Sequence, residues 1–208
     1  MGRNNKVHMD HFYKELGENW FTYPNLYSYV VDKFPDNSHF VEVGVWKGMS
    51  ASYMAVEIVN SGKNIKLDCV DNWEFVENLQ EDISPEFFGE NIYETFLKNI
   101  EPVSHIITPI KKISWEGSKL YSDNSLDFVF IDAAHDYESV KKDINSWFPK
   151  IKEGGIIAGH DYGWSDDVKK AVDEFFENKE IYEIEGCWVY FTNPPLAEIN
   201  FWKRCNKN

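Results

Sequence analysis

The chain predicts an α/β fold: a Rossmann-like, doubly wound sheet of seven strands, mostly parallel, closed by a C-terminal antiparallel hairpin, with helices on both faces. Three observations predict it. Strand-type and helix-type runs alternate along most of the 208 residues. An apolar run ending in Glu42-Val43-Gly44 passes through a second glycine, Gly48, to Ser50, a residue that can open a helix. Near the end, two short apolar runs are separated only by Glu185-Gly186, the spacing of a tight hairpin. Hydrophobic residues make up 43% and aromatics 16%, enough for one globular core.

In chain order, residues 1–38 carry Phe12, Tyr13, Trp20, Phe21, Tyr23, Tyr27 and Tyr29, and predict helices over 8–18 and 25–34. This segment reads as a lid over the site, as a homodimer contact, or as ordinary packing on the sheet edge. Residues 39–192 form the sheet domain and 193–208 a tail. The strands fall at 39–45, 65–70, 106–110, 126–131, 156–159, 181–184 and Cys187–Phe191.

Helices fill the gaps. One over 50–59 follows the glycine turn. One over 85–99 has Ser84 as cap and Pro85 first, with Phe88, Ile92, Phe96 and Ile100 every fourth residue. A short one covers 115–120. One over 137–148 is capped by Asp136, and one over 168–176 packs Val168, Val172, Phe175 and Phe176.

Composition excludes several partners. The net charge of −14 repels phosphate backbones and anionic membranes, so nucleic acid is not expected. The cysteines Cys69, Cys187 and Cys205 are odd in number and lack metal-type spacing, as reduced thiols do. The N-terminus is polar without an apolar signal core, and Lys6 stands where a myristoylation signal wants Ser or Thr. No apolar run approaches the ~18 residues of a membrane span. A soluble, cytoplasmic protein is the expectation.

The turn after the first strand reads as the floor of a nucleotide-like cofactor site, since glycines admit a ligand and a helix start offers free N–H donors. Its spacing, E-x-G-x-x-x-G, puts Trp46 where a dinucleotide fingerprint wants glycine. Glu42, two residues before Gly44, suits a ligand with a positive end. Asp71 closes the second strand, where an acid can accept both ribose hydroxyls. Two further strands end alike, in Asp132-Ala133-Ala134-His135-Asp136-Tyr137 and His160-Asp161-Tyr162. Carboxylates delivered together repel unless a cation or proton lies between them. Hard oxygens suit Mg²⁺ or Ca²⁺, while imidazole favours Mn²⁺, Fe²⁺ or Zn²⁺.

The first motif resembles that of class I S-adenosylmethionine (SAM)-dependent methyltransferases, E/D-x-G-x-G-x-G, without its middle glycine. The two strand-end blocks look like the D-x-x-H-x-Y and H-D-Y motifs of small-molecule O-methyltransferases, nearest to metal-dependent sugar enzymes of the macrocin and mycinamicin type. The likeness covers residues 39–192. It implies that Glu42, Gly44, Gly48, Ser50, Asp71, Asn72, Ser114 and Asp132 line SAM, with Trp73 near the adenosine and Trp115 available for stacking. It implies Asp132 and Asp161 as ligands of a divalent metal (Mg²⁺ or Mn²⁺), with His160 in place of an acid that many relatives carry. It also implies His135 as general base beside Asp132, and a small-molecule or saccharide acceptor. A metal-independent enzyme acting on a phenol or carboxylate, a non-catalytic SAM- or nucleoside-binding module and a nicotinamide oxidoreductase are the competing readings. Trp46 disfavours the last.

Overall fold

The computed structural model describes residues 8–17, 20–74 and 90–193. The strands are β1 (His39–Val43), β2 (Lys66–Asp71), β3 (Ile107–Lys111), β4 (Leu126–Ile131), β5 (Ile151–Gly159), β6 (Tyr182–Ile184) and β7 (Cys187–Phe191). They form one seven-stranded sheet in the order β3-β2-β1-β4-β5-β7-β6. The pairs from β3 to β5 are parallel, while β7 runs antiparallel to both β5 and β6. The strand order reverses direction between β1 and β4, the place where open α/β sheets take their ligands.

Register aligns the ends of four strands. Val43 pairs with Val70 on one side and Ile131 on the other, and Ile131 pairs with Gly159. One residue further on lie Asp71, Gly44, Asp132 and His160, in one row along the carboxyl edge. Strand residues alternate faces, so a buried sheet must carry apolar residues on both. Phe40, Phe128, Phe130 and Ile156 fill one side, and Val41, Val43, Val129, Ile157 and Trp188 the other.

The helices are α1 (Pro24–Lys33), α2 (Met49–Ser61), α3 (Ile92–Asn99), α4 (Ser114–Gly117), α5 (Tyr137–Trp147) and α6 (Asp166–Phe175). Asp136 caps α5 by accepting from the Ser139 N–H, and Ser165 caps α6 by accepting from the Val168 N–H. Among the described residues, no helix is long and apolar enough to cross a membrane.

Four expectations need correction. Of the helix expected over 8–18, the described residues 8–17 hold only a 3-10 turn at Tyr13–Glu15. There, His11 stacks on Tyr53 and the Asn60 side chain bonds both polar groups of Met9, so docking onto α2 displaces the helix. The helix expected over 85–99 starts at Ile92 with Asn91 as its cap; Ser84, Pro85 and Phe88 lie outside the described residues. Glu90 is taken up by Lys47 and Thr95 instead. The cap of α2 is Gly48, and Ser50 turns its hydroxyl inward to Glu42. β5 begins at Ile151, because pairing jumps from Leu126↔Ile151 to Phe128↔Ile156 and hides the early residues from a periodicity reading.

The N-terminal segment belongs to the main core. Phe21, Tyr23, Leu26, Tyr27 and Val30 are buried there, whereas Trp20 stays 52% exposed. Most of these aromatics are thus covered by their own chain.

Gly44 is required by close approach. Its φ is +79°, and a Cβ there would overlap the Asp132 carbonyl and come within 2.6 Å of the Ala133 Cα. Gly154 has a similar φ of +81° with nothing near its missing Cβ. Gly44→Ala should therefore cost about 3 kcal/mol or more, overpacking added to backbone strain, against about 1–2 for Gly154→Ala. Urea unfolding of both variants checks this; equal losses would mean that the close approach is not what demands the glycine.

Candidate functional site

Three side chains converge beyond the β4 and β5 ends. Asp132, His135 and Asp161 each place one ligand atom within 4.8 Å of the others. His135 Nε2 lies 3.0 Å from Asp161 Oδ2 and 3.7 Å from Asp132 Oδ1. His160 Nδ1 approaches the same oxygens, at 3.4 Å from Asp161 and 3.7 Å from Asp132. Of the residues expected to hold a metal, Asp132 and Asp161 meet as anticipated. The closest third donor is His135, with His160 beside the trio.

Local geometry explains the gathering. The Asp132 N–H bonds the Val43 carbonyl at 2.7 Å, continuing the β1–β4 ladder past the strand ends. Asp161 adopts φ +61°, a left-handed conformation that Asp tolerates better than most residues. Its carbonyl accepts from the Trp164 and Ser165 N–H groups, which fixes that turn. His135 is half exposed, on the loop between β4 and α5, while His160 is buried.

The charges nearly balance within the cluster. The Asp132 and Asp161 carboxylates push the His135 imidazole up to about 10. Burial opposes a charge on Asp161, yet the two imidazoles outweigh it and hold that carboxyl well below the usual range. Burial also works against His160, but Asp161 and Asp132 raise it overall.

Two side chains that the sequence did not single out complete the site. The Tyr23 hydroxyl donates to Asp132 Oδ2 at 2.9 Å, and the Thr22 hydroxyl pairs with His160 Nε2 at 3.1 Å. The only sequence signal was the aromatic content of their segment.

The glycine turn adjoins the cluster through Gly44. Beneath it, the Glu42 carboxyl is fully buried and bonded by Ser50. Its second oxygen, close to the Tyr27 hydroxyl, has no hydrogen bond of normal geometry. Burial pushes Glu42 up to about 8, against the Ser50 bond. Asp71 is drawn into the turn as well: Oδ2 accepts from the Val45 and Trp46 N–H groups, and Oδ1 from Trp73. Burial raises its pKa in spite of those bonds. The Asn72 N–H acts on the same carboxylate. Asn72 accepts from the Glu74 N–H.

Ser114 points elsewhere. Its hydroxyl accepts from the Trp147 indole at 3.0 Å, under α5. The face of Trp115 carries the Lys142 ammonium at 3.3 Å.

A family model described as a methyltransferase domain matches residues 41–162. Among curated proteins, the uncharacterized y4gI of Sinorhizobium fredii is 26% identical over 121 residues, covering 58% of this chain and 13% of its own length. This chain thus spans a small part of that relative. The uncharacterized R132 of Acanthamoeba polyphaga mimivirus is 26% identical over 177 residues, 79% of this chain and 74% of R132. Among solved structures, a Corynebacterium glutamicum protein superposes with a TM-score of 0.61 at 12% identity, over 91% of this chain and 93% of its own. The O-methyltransferase NovP gives 0.58 at 16%, over 82% and 79%. SMU.1697c of Streptococcus mutans, in complex with SAH, gives 0.56 at 12%, over 81% and 94%. At these identities the superpositions establish the fold.

The raised His135 and lowered Asp161 predict a pH signature. Stabilisation from His135 is complete below its unfolded value of about 6.5 and is lost as pH rises through about 10. That from Asp161 is complete above about 3.9 and is lost as pH falls through its lower folded value. The stability gap between wild type and His135→Ala should therefore narrow from pH 7 to 10, and also narrow with salt, because the imidazole is half exposed. Urea unfolding across that range would show a constant gap if the ion pairs carried nothing.

Proposed function

The chain belongs to the methyltransferase-domain family, and from that premise we propose that it transfers the methyl group of SAM to a hydroxyl of a small molecule or glycan, a sugar hydroxyl first, with the help of a divalent cation. One observation carries this reading: two carboxylates and an imidazole meet within 4.8 Å beside the glycine turn of a methyltransferase fold. An acid–imidazole trio at this edge has the chemistry to handle a proton or a cation.

The residues present suit both groups. Glu42 offers a buried carboxyl oxygen with no hydrogen bond of normal geometry, which suits a ligand with an ammonium end. Gly44 and Gly48 shape the turn, Ser50 orients Glu42, and Asp71 with Asn72 closes it toward the second strand. Ser114 would join only by releasing Trp147. SAM supplies an electrophilic sulfonium methyl. Asp132 and Asp161, with an imidazole nitrogen from His160, would form an oxygen-rich donor set that fits Mg²⁺ or Mn²⁺. Such a cation lowers the pKa of a coordinated alcohol.

His135 is the group placed to take the hydroxyl proton, at Nε2. With both carboxylates uncompensated it keeps its own proton and is no base. Once their charge is met by a cation, His135 can lose that proton and accept the substrate's. Metal affinity should accordingly rise with pH. In a second reading, without a cation, the 3.0 Å His135–Asp161 pair would face a phenol or carboxylate acidic enough to arrive ionised, so that no base is needed.

The mutants should separate by role. Asp132→Asn and Asp161→Asn should lose methyl transfer and cation-dependent acceptor binding while retaining SAM. His135→Ala should bind all three yet slow by about 10²–10⁴-fold, the usual share of general-base catalysis. Chelator should reproduce the aspartate phenotype in a radiolabelled methyl-transfer assay. Full activity in excess EDTA would leave the second reading standing and remove the cation.

A further inference from the structure

Residues 20–33 precede the stretch that the family model matches, yet they supply the closest hydrogen-bond donor to Asp132. The Asp132 backbone is held on both sides, by the Val43 carbonyl and by Gly44. Its carboxylate would still be free to rotate. The Tyr23 hydroxyl removes that freedom, donating to Oδ2 at 2.9 Å. Oδ1 is then left facing His135 and His160, each at 3.7 Å.

Tyr23 can fix the acid because it is itself fixed. It is 1% exposed. Its ring sits 4.8 Å from Phe21, 5.1 Å from Tyr27, 4.6 Å from Phe130 and 4.8 Å from His160. The segment is tied down at a separate point, where Glu185 accepts from the Asn25 side chain at 2.6 Å and from the Leu26 N–H. Thr22, next in the chain, holds the far nitrogen of His160. One short segment therefore anchors two of the side chains that face the cluster.

We propose that Tyr23 is a positioning residue, whose hydroxyl turns the Asp132 carboxylate so that a single oxygen, Oδ1, is presented to the cation. The inference rests on the metal-assisted reading above for the identity of the occupant, and on the hydrogen bond alone for the orientation. Groups that orient metal ligands commonly change affinity by about 10–100-fold when removed.

Tyr23→Phe tests this, since it keeps the ring and deletes only the hydroxyl. Tyr53→Phe is the control: it lies in the same aromatic cluster, and its hydroxyl pairs with Ser28, away from the acids. Mn²⁺ binding by calorimetry and crystal structures of the metal-free variants are the readouts. Tyr23→Phe should bind Mn²⁺ about 10–100-fold more weakly, while Tyr53→Phe binds it like wild type. Wild-type affinity in Tyr23→Phe, or an equal loss in both variants, overturns the proposal. If wild type itself takes up no Mn²⁺, the metal reading falls and the crystal decides: a rotated Asp132 carboxylate in Tyr23→Phe supports the positioning role, and an unrotated one refutes it.

Discussion

The site depends on how closely β1 and β4 approach where they leave the sheet. Asp132 continues the ladder by bonding the Val43 carbonyl, which presses its own carbonyl against Gly44. No side chain fits there. The approach places an acid from β4 directly beside the turn that follows β1, so the candidate cofactor loop and the candidate reaction centre share a wall. Parallel register extends the row to Asp71 on one flank and His160 on the other. Chemistry at this edge follows from pairing geometry, since each strand delivers whatever residue comes next after its last ladder bond.

Charge is the second constraint. Two carboxylates this close repel unless paired, and two imidazoles stand against them. The cluster is thereby stable and inactive as a base. Under the proposed function, a cation held by the two carboxylates would compensate their charge and lower the proton affinity of His135. Glu42 shows a related economy beneath the turn. Burial favours its neutral form, and a positively charged ligand would favour ionisation.

Much of this was legible in the sequence because it lies in local pattern. The strands β1, β2, β4 and β5 are apolar runs stopped by an acid or glycine, so Asp71, Asp132 and Asp161 announced themselves by position. The hairpin at Glu185-Gly186 and the cap at Asp136 are equally local. What the pattern could not carry was direction. Ser114 is at the expected place, but its hydroxyl serves Trp147; Asp71 ends β2 as expected, but three backbone N–H groups claim it. Tyr23 was hidden for a different reason. Its bond to Asp132 spans 109 positions, and aromatic content alone did not separate a lid or dimer face from a core. Residues 8–17 do not form the expected helix; their contacts with α2 are specific pairs, His11 with Tyr53 and Met9 with Asn60, that no periodicity encodes.

The central claim is that one strand-end row holds both the methyl donor and a cation. The most direct measurement is anomalous diffraction from a crystal of this protein grown with S-adenosylhomocysteine and Mn²⁺. The account predicts a Mn²⁺ peak in contact with Asp132 Oδ1 and Asp161, and the cofactor product lying over the Gly44–Gly48 turn, its ammonium directed toward Glu42. Cofactor product bound over that turn, with no anomalous peak at the two acids, would contradict it.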